Sequence, residues 1–518
     1  MDGYQIGLIA LVALYVLVGI SMYFMVRKSG RRFIIAGKRL PLFLIGTMLF
    51  AQALDANATL GNAGGVYSFG FWAGFMFPLG LALCLVVVAI WYAKPLNRMN
   101  LITLADFYFR RFSRAVEVPV GLLMSFSFCI LVAGNLAGAA WIIHMIFGVA
   151  YFPALLIMSI LLLAYTFSGG LFSCAATDIV QLYPALLAFV GGALWIFFSV
   201  GGGDWGFFAA AIPPGYADLS GLYSIENGAL LNWAGILALG VGDVVALDFM
   251  ERVFAAKNPE TARRGCFWGA GFTLILGLAA SFIGLMAFSF ISEIDDPRSV
   301  IVLATTTAMP LVIGLFVMAG VIGAGLSTAN GGALAVSAVF GRNILHRNII
   351  LPLHRRRAKK LGVSVEELAV DWHVLDNRLL WWARLMLLPV MAFSVWLAYV
   401  KPEPGMMLVL AFDVVFAGCL VPLTLGIYWK KANAYGALSA VVIGSLLRLI
   451  LYFSVGNPAY GIFYIPEHLA GLETLIPPVV SLIVMVPVCL LTQKQDPPKH
   501  EAIFEAPSEE EVARAVRY

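Results

Sequence analysis

Ala51-Gln52-Ala53-Leu54-Asp55-Ala56-Asn57-Ala58-Thr59-Leu60-Gly61 lies inside the apolar stretch 41–77, and its reading decides the fold. A carboxylate there is costly if the stretch crosses a bilayer, and such acids usually face a cavity or a partner charge. The flanking Ala, Gly and Asn suit a helix that unwinds at mid-depth. Unwound helices in transporters expose carbonyls that bind cations. This segment alone therefore points to a transporter with a cation site.

Composition agrees. The chain of 518 residues is 61% hydrophobic and 12% charged, with mean hydropathy +0.91. A soluble domain carries about 25% charged residues, so the main solvent is lipid. Cys84, Cys129, Cys174, Cys266, Cys419 and Cys489 show no metal-ligand or redox spacing and read as small core residues. The first apolar run has no basic leader and continues into a full span, so no cleavable signal is expected. No nucleophile–base constellation, metal cluster or nucleic-acid-binding motif is present, and an enzyme is not expected.

A crossing helix needs roughly 20 apolar residues. That length yields about thirteen spans: 4–26, 41–69, 71–93, 116–147, 150–168, 172–200, 229–253, 265–291, 309–340, 379–400, 406–429, 434–455 and 474–492. Basic residues gather in alternate loops: Arg27–Arg32, Lys94–Arg114, Arg252–Arg264, Arg342–Arg384 and Lys430-Lys431. By the positive-inside rule these loops are cytoplasmic, with the N-terminus outside and the C-terminus inside. The pattern fits a multi-pass plasma-membrane protein, in particular one of a bacterial inner membrane. The insert at about 341–378 carries His354–Lys360, a run rich in arginine and lysine, and reads as a solvated amphipathic anchor; contact with anionic lipid is the sharper reading.

Several motifs stand in a fixed order. The Asp55 region closes with Leu60-Gly61-Asn62-Ala63-Gly64-Gly65-Val66-Tyr67. Tyr165-Thr166-Phe167-Ser168-Gly169-Gly170-Leu171 precedes Thr177-Asp178-Ile179-Val180-Gln181. Leu247-Asp248-Phe249-Met250-Glu251-Arg252 leads to Ala255-Ala256-Lys257. Ala324-Gly325-Leu326-Ser327-Thr328 follows, then Leu425–Ala437. Together these resemble the sodium:solute symporter family, with Glu251 where the family's pattern usually has Gln. The resemblance covers about residues 36 to 445 and implies an all-α membrane protein of LeuT-type fold. In that reading 1–35 is an extra N-terminal helix. Residues 36–200 form a five-helix repeat and 201–430 its inverted copy. Residues 431–493 supply two extra helices, and 494–518 a cytoplasmic tail.

The implied coupling ion is Na+. Ser327 and Thr328 offer two adjacent hydroxyls in an apolar helix; alone, they could equally bond their own helix four residues back. The resemblance implies a sodium site from these hydroxyls and the carbonyls of Ala51, Leu54 and Ala324. A second site used by some members would employ Asp178 and two further hydroxyls. Asn330 and Gly331 stand at those positions, so one sodium is expected. Asp178 then serves sodium exit or caps a helix start.

Asp55 follows the implied ligand Leu54. An unpaired carboxylate in a dry cavity is strongly penalised, and a bound ammonium would relieve it. Asp243 and Asp413 add two intramembrane acids, with pairing to backbone N–H groups or to Arg448 as the alternative. Phe50, Tyr67, Phe412, Trp141 and Trp233 are candidate aromatic contacts for a cation. Asn135 is a candidate polar contact, and His144 reads as interfacial. The expected function is sodium-coupled import of a small organic solute, favouring an amine or other organic cation. The alternatives are a zwitterion such as an amino acid, a monocarboxylate, or a transporter-like sensor.

Overall fold

In the computed structural model, residues 2–26, 29–291, 294–350, 352 and 372–499 are described. The run His354–Lys360 and the tail from residue 500 lie outside them. Within the described residues every long apolar run is helical and no strand occurs. Among the described residues, ten helices are each long and apolar enough to cross a bilayer. Three further pairs meet at sharp bends: Leu42–Ala53 with Ala56–Phe69 (46°), Ala229–Val245 with Leu247–Ala255 (48°), and Pro404–Gly418 with Leu420–Tyr428 (47°). Counting each bent pair as one span gives 13, at nearly the positions expected from the sequence. Helices suit this solvent because they satisfy their own backbone polar groups.

Leu311–Ala338 is the central helix. It is buried continuously from Val317 to Ala338 and packs against Arg114–Phe147 and Leu171–Ser199. Its Gly, Ala and Ser residues permit that close packing. The first helix, Gly3–Ser21, is peripheral: Leu8 and Tyr15 point inward while Ile6 and Leu17 are exposed. An apolar face left open this way suits lipid.

The bends have local causes. Leu54 leaves helical geometry (φ −129°, ψ 74°), and Asp55 is extended and caps the next helix. In the second broken helix a short 3-10 turn, Gly242–Val245, leads to the extended residue Ala246. The third bend was not anticipated; residues 406–429 read as one span. Pro422 lacks the N–H that would reach the Gly418 carbonyl, which interrupts the helical ladder at that point.

At the end of the bundle carrying the basic loops, the chain builds an ion-pair network. Asp106 meets Arg342 at 3.2 Å and Arg347 at 2.7 Å. Glu117 is paired with Arg347 and accepts from Asn343 at 2.7 Å. The network ties the start of Arg114–Phe147 to the π-helical continuation Val339–Ile350 of the central helix.

Candidate functional site

The first break lies against the central helix and Arg114–Phe147. At Gly134 a Cβ would fall 2.2 Å from the Asn57 side-chain oxygen, so only glycine lets the two helices meet here. Asp55 caps the second half-helix: Oδ1 accepts from the Ala58 N–H at 2.7 Å. Oδ2 accepts from Asn135 Nδ2 at 2.5 Å and from Asn57 Nδ2 at 3.1 Å. The expectation of an unpaired carboxylate at Asp55 is therefore corrected. Three amide donors already solvate it, because a helix restarting at residue 56 needs a cap.

The hydroxyls of Ser327 and Thr328 cross to neighbouring helices. Thr328 Oγ1 donates to the Ala51 carbonyl at 3.1 Å, and Ser327 Oγ donates to Asp178 Oδ1. The two reach partners that lie on different helices. Asp178 is eighth in Leu171–Ser199, too deep to cap it, and its Oδ2 has no hydrogen-bond partner. Ala324 is buried one residue before Gly325, whose Cα faces Ala56 and the Asn135 carbonyl. Leu54 is buried at the break itself. The Thr328 hydroxyl thus meets the first broken helix at Ala51, while the Ser327 hydroxyl turns away to Asp178.

Asp243 sits in the 3-10 turn of the second break, 1% exposed, and its Oδ1 has no hydrogen-bond partner. It lies within electrostatic reach of Asp248 and Asp55. Asp413 is instead held by Arg448 at 2.5 Å, the pairing foreseen as its alternative. Among the aromatics, Phe50 packs on Phe272 (5.6 Å) and Phe412 meets Phe128 edge-on (5.8 Å). Tyr67 stacks on Phe288 at 4.3 Å; it is about 18 Å along the helix from Asp55 at 1.5 Å per residue. Trp141 carries the Arg298 guanidinium 3.6 Å above its ring. Trp233 donates to the Leu222 carbonyl and is 43% exposed, and His144 bonds the Val149 carbonyl.

Sequence reasoning gave no role to Gln52, Asp248 or Arg252. With its amide nitrogen toward Asp248 Oδ2 (2.8 Å) and its oxygen toward Arg252 Nη2 (3.1 Å), Gln52 bridges the two broken helices. A lone amide between Ala51 and Ala53 was the available signal.

Two helices broken beside carboxylates, with a hydroxyl reaching across to one of them, define a broken-helix membrane transporter. The chain belongs to the sodium:solute symporter family, whose profile matches residues 33–364 and 373–444. It is 25% identical over 481 residues to the high affinity choline transporter 1 of Homo sapiens, covering 86% of this chain and 76% of that protein. It is 24% identical over 508 residues to a sodium/proline symporter of Staphylococcus aureus, covering 93% and 92%. Among solved structures, a Na+-coupled sialic acid symporter in a substrate-bound outward-open state superposes with TM-score 0.77 at 17% identity, covering 95% of this chain and 98% of that one. The fold is LeuT-type. The protein is a multi-pass membrane transporter that couples sodium to a small solute, and not an enzyme.

Proposed function

We propose that this symporter imports a small organic cation, such as a primary or quaternary amine, down the sodium gradient. The observation that carries this reading is Asp243: a buried carboxylate oxygen without a partner, at the second helix break, within electrostatic reach of Asp55 and Asp248. An isolated buried charge is expensive, and a bound ammonium offsets that cost. Similarity to a choline transporter is consistent with a cationic solute.

In this reading sodium sits among the Ala51, Leu54 and Ala324 carbonyls and the Ser327 and Thr328 hydroxyls. Sodium binding turns both hydroxyls from their present acceptors toward the ion and draws the first break against the central helix. Asp243 then receives the ammonium, Asp55 holds the break in register through Asn135, and Phe50 and Phe412 flank the solute. Coupling arises because the ion favours the conformation in which the break is organised. Asp178 takes over the Ser327 hydroxyl as sodium leaves toward the basic end. That end is cytoplasmic in a bacterial inner membrane, the N-terminus is outside, and 36–200 and 201–430 are the inverted repeats.

One observation favours a second reading, a zwitterionic solute such as an amino acid. Asp55 is fully engaged as a cap, which leaves fewer free acid oxygens at the first break to receive a cation. Thermal stabilisation of the purified protein separates the two. Amines, choline-like cations, amino acids and monocarboxylates are tested in sodium and in potassium, with Asp243→Asn alongside. Sodium-dependent stabilisation by a cation that vanishes in Asp243→Asn is the expected result. Stabilisation by proline-like solutes that survives the substitution sinks the cation assignment.

A further inference from the structure

Glu251 stands where the family's pattern usually has a neutral glutamine. This chain therefore carries an additional acid on Leu247–Ala255, the half of the second broken helix nearer the basic end. The side chain is buried, and neither of its oxygens has a hydrogen-bond partner. Arg252 Nη1 lies 3.6 Å from it, beyond good hydrogen-bond distance.

That arginine is shared. Asp178 and Asp248 lie within its electrostatic reach as well, so one fixed positive charge serves three buried acids. Asp178 accepts from Ser327. Asp248 accepts from the Phe249 N–H at 2.7 Å and faces the Gln52 amide nitrogen at 2.8 Å. Glu251 alone of the three accepts no hydrogen bond. One sodium at Ser327 and Thr328 still leaves a negative charge over, and an unbalanced buried charge is costly. A proton removes it at the acid that has no hydrogen bond to lose. A metal ion or an ammonium group there would lie against the guanidinium.

The surroundings leave Glu251 as the group to titrate. Of the elements packed on this half-helix, Leu42–Ala53 and the central helix bring no titratable side chain. Leu171–Ser199 brings Cys174 within electrostatic reach. Lys38 donates to the Asn97 carbonyl, and Lys94, Arg263 and Arg264 pair with Glu260. Arg31, Arg32 and Arg98 are exposed or half-buried at the basic end.

We propose that Glu251 is a proton site that opposes sodium: it holds a proton in the sodium-free protein and releases it to solvent as sodium binds. The inference rests on the sodium site proposed at Ser327 and Thr328. Glu251 touches neither ion nor solute, and the two charges act through space. A Cβ at Gly331 would fall 2.5 Å from Arg252 Nη2, and Gly331 is one helical turn beyond Ser327. At a rise of about 1.5 Å per residue this puts Glu251 on the order of 10 Å from the ion. With an effective dielectric constant of about 20, the coupling is on the order of tenfold in affinity, and it is reciprocal.

Equilibrium binding of radioactive sodium to purified protein, from about pH 5.5 to about 8.5, tests it together with an indicator dye in weakly buffered solution. Wild type is expected to bind sodium about tenfold more tightly at the alkaline end, and to release protons when sodium, but not potassium, is added. Glu251→Gln, which supplies the family's usual residue, is expected to bind sodium with little pH dependence and to release no proton. Glu251→Met decides the matter if that variant fails to fold. Thr328→Val is expected to lose sodium binding and proton release together; unchanged binding there sinks the underlying site. Sodium binding by wild type without proton release, or release that persists in the Glu251 variants, overturns the proton site while leaving the sodium site intact.

Discussion

Two groups of buried acids in this molecule are treated in opposite ways. At the basic end, Asp106 and Glu117 are each 1% exposed and both face arginine, with Asn343 completing the set. At the helix breaks, Asp55 and Asp243 are equally buried, but Asp55 meets only amides and Asp243 Oδ1 meets nothing. The same side chain at the same depth is satisfied in one region and left wanting in the other. The paired group has its charge offset by arginine without a ligand, although Glu117 Oε2 has no hydrogen-bond partner. The breaks stay incomplete, which the proposed function explains by a cation that arrives and leaves. Natural proteins relax their packing and pairing rules mainly where function requires it.

The largest effect is expected where the pairing is complete. Asp106 is buried while Arg342 and Arg347 are half-buried, and Asp106→Asn leaves both short of one acid; breaking a buried pair typically costs about 3–5 kcal/mol. Denaturant unfolding in detergent, followed by tryptophan fluorescence, reads the loss. A cost no greater than that of Asp243→Asn breaks the contrast between the regions.

Asp413 stands between the two cases, since it lies in the third bent helix yet is paired with Arg448. Arg448→Met alone is expected to destabilise by about 3 kcal/mol, whereas Arg448→Met with Asp413→Leu recovers most of that. The cycle is measured in the same unfolding assay. If the double variant remains as unstable as the single one, Asp413 has a role beyond its arginine and returns to the solute site.

How far these regions were legible in sequence follows from the range of their contacts. The spans were legible because apolar length is a local property, and Asp55 stood out because a charge in an apolar run needs no partner to be noticed. The Ser327-Thr328 pair was visible as chemistry but not as direction; its acceptors lie on helices 277 and 149 residues away in sequence. Gln52 escaped for the same reason, and Arg252, read as the start of a basic loop, is instead fully buried in the helix Leu247–Ala255. Asp55 was legible as a functional acid but misread as unpaired, because its Asn135 donor comes from 80 residues on. The third bend was legible in principle, from Pro422 near the start of a half-helix.

The paired region also carries a pH signature. Burial alone would raise the Asp106 carboxyl, but Arg342, Arg347 and Arg110 outweigh it and hold it well below the usual carboxylate range. A depressed folded value means the contribution is complete above the unfolded value of about 4 and is lost as pH falls below it. Wild type is expected to lose up to about 1.4 kcal/mol per pH unit from this one group below that point. Asp106→Asn should flatten the profile there, in melting temperatures taken from pH 6 to 3. A profile of unchanged slope would show that other acids dominate and that Asp106 does not stand apart.

The smallest effect has the opposite sign and bears most directly on the incomplete region. Asp243 Oδ1 is buried without a partner, so removing its charge should relieve desolvation. Asp243→Asn is expected to raise the stability of the solute-free protein by about 1 kcal/mol, within the range for an unsatisfied buried polar group. The same substitution should abolish stabilisation by a cationic solute while leaving sodium-dependent stabilisation in place, because Asp243 contributes no oxygen to the proposed sodium site. Stability and function would then move in opposite directions at one residue. If Asp243→Asn instead destabilises the solute-free protein by several kcal/mol, the acid has a resident partner. The breaks would then be as complete as the basic end, and the argument for a cationic solute would lose its footing.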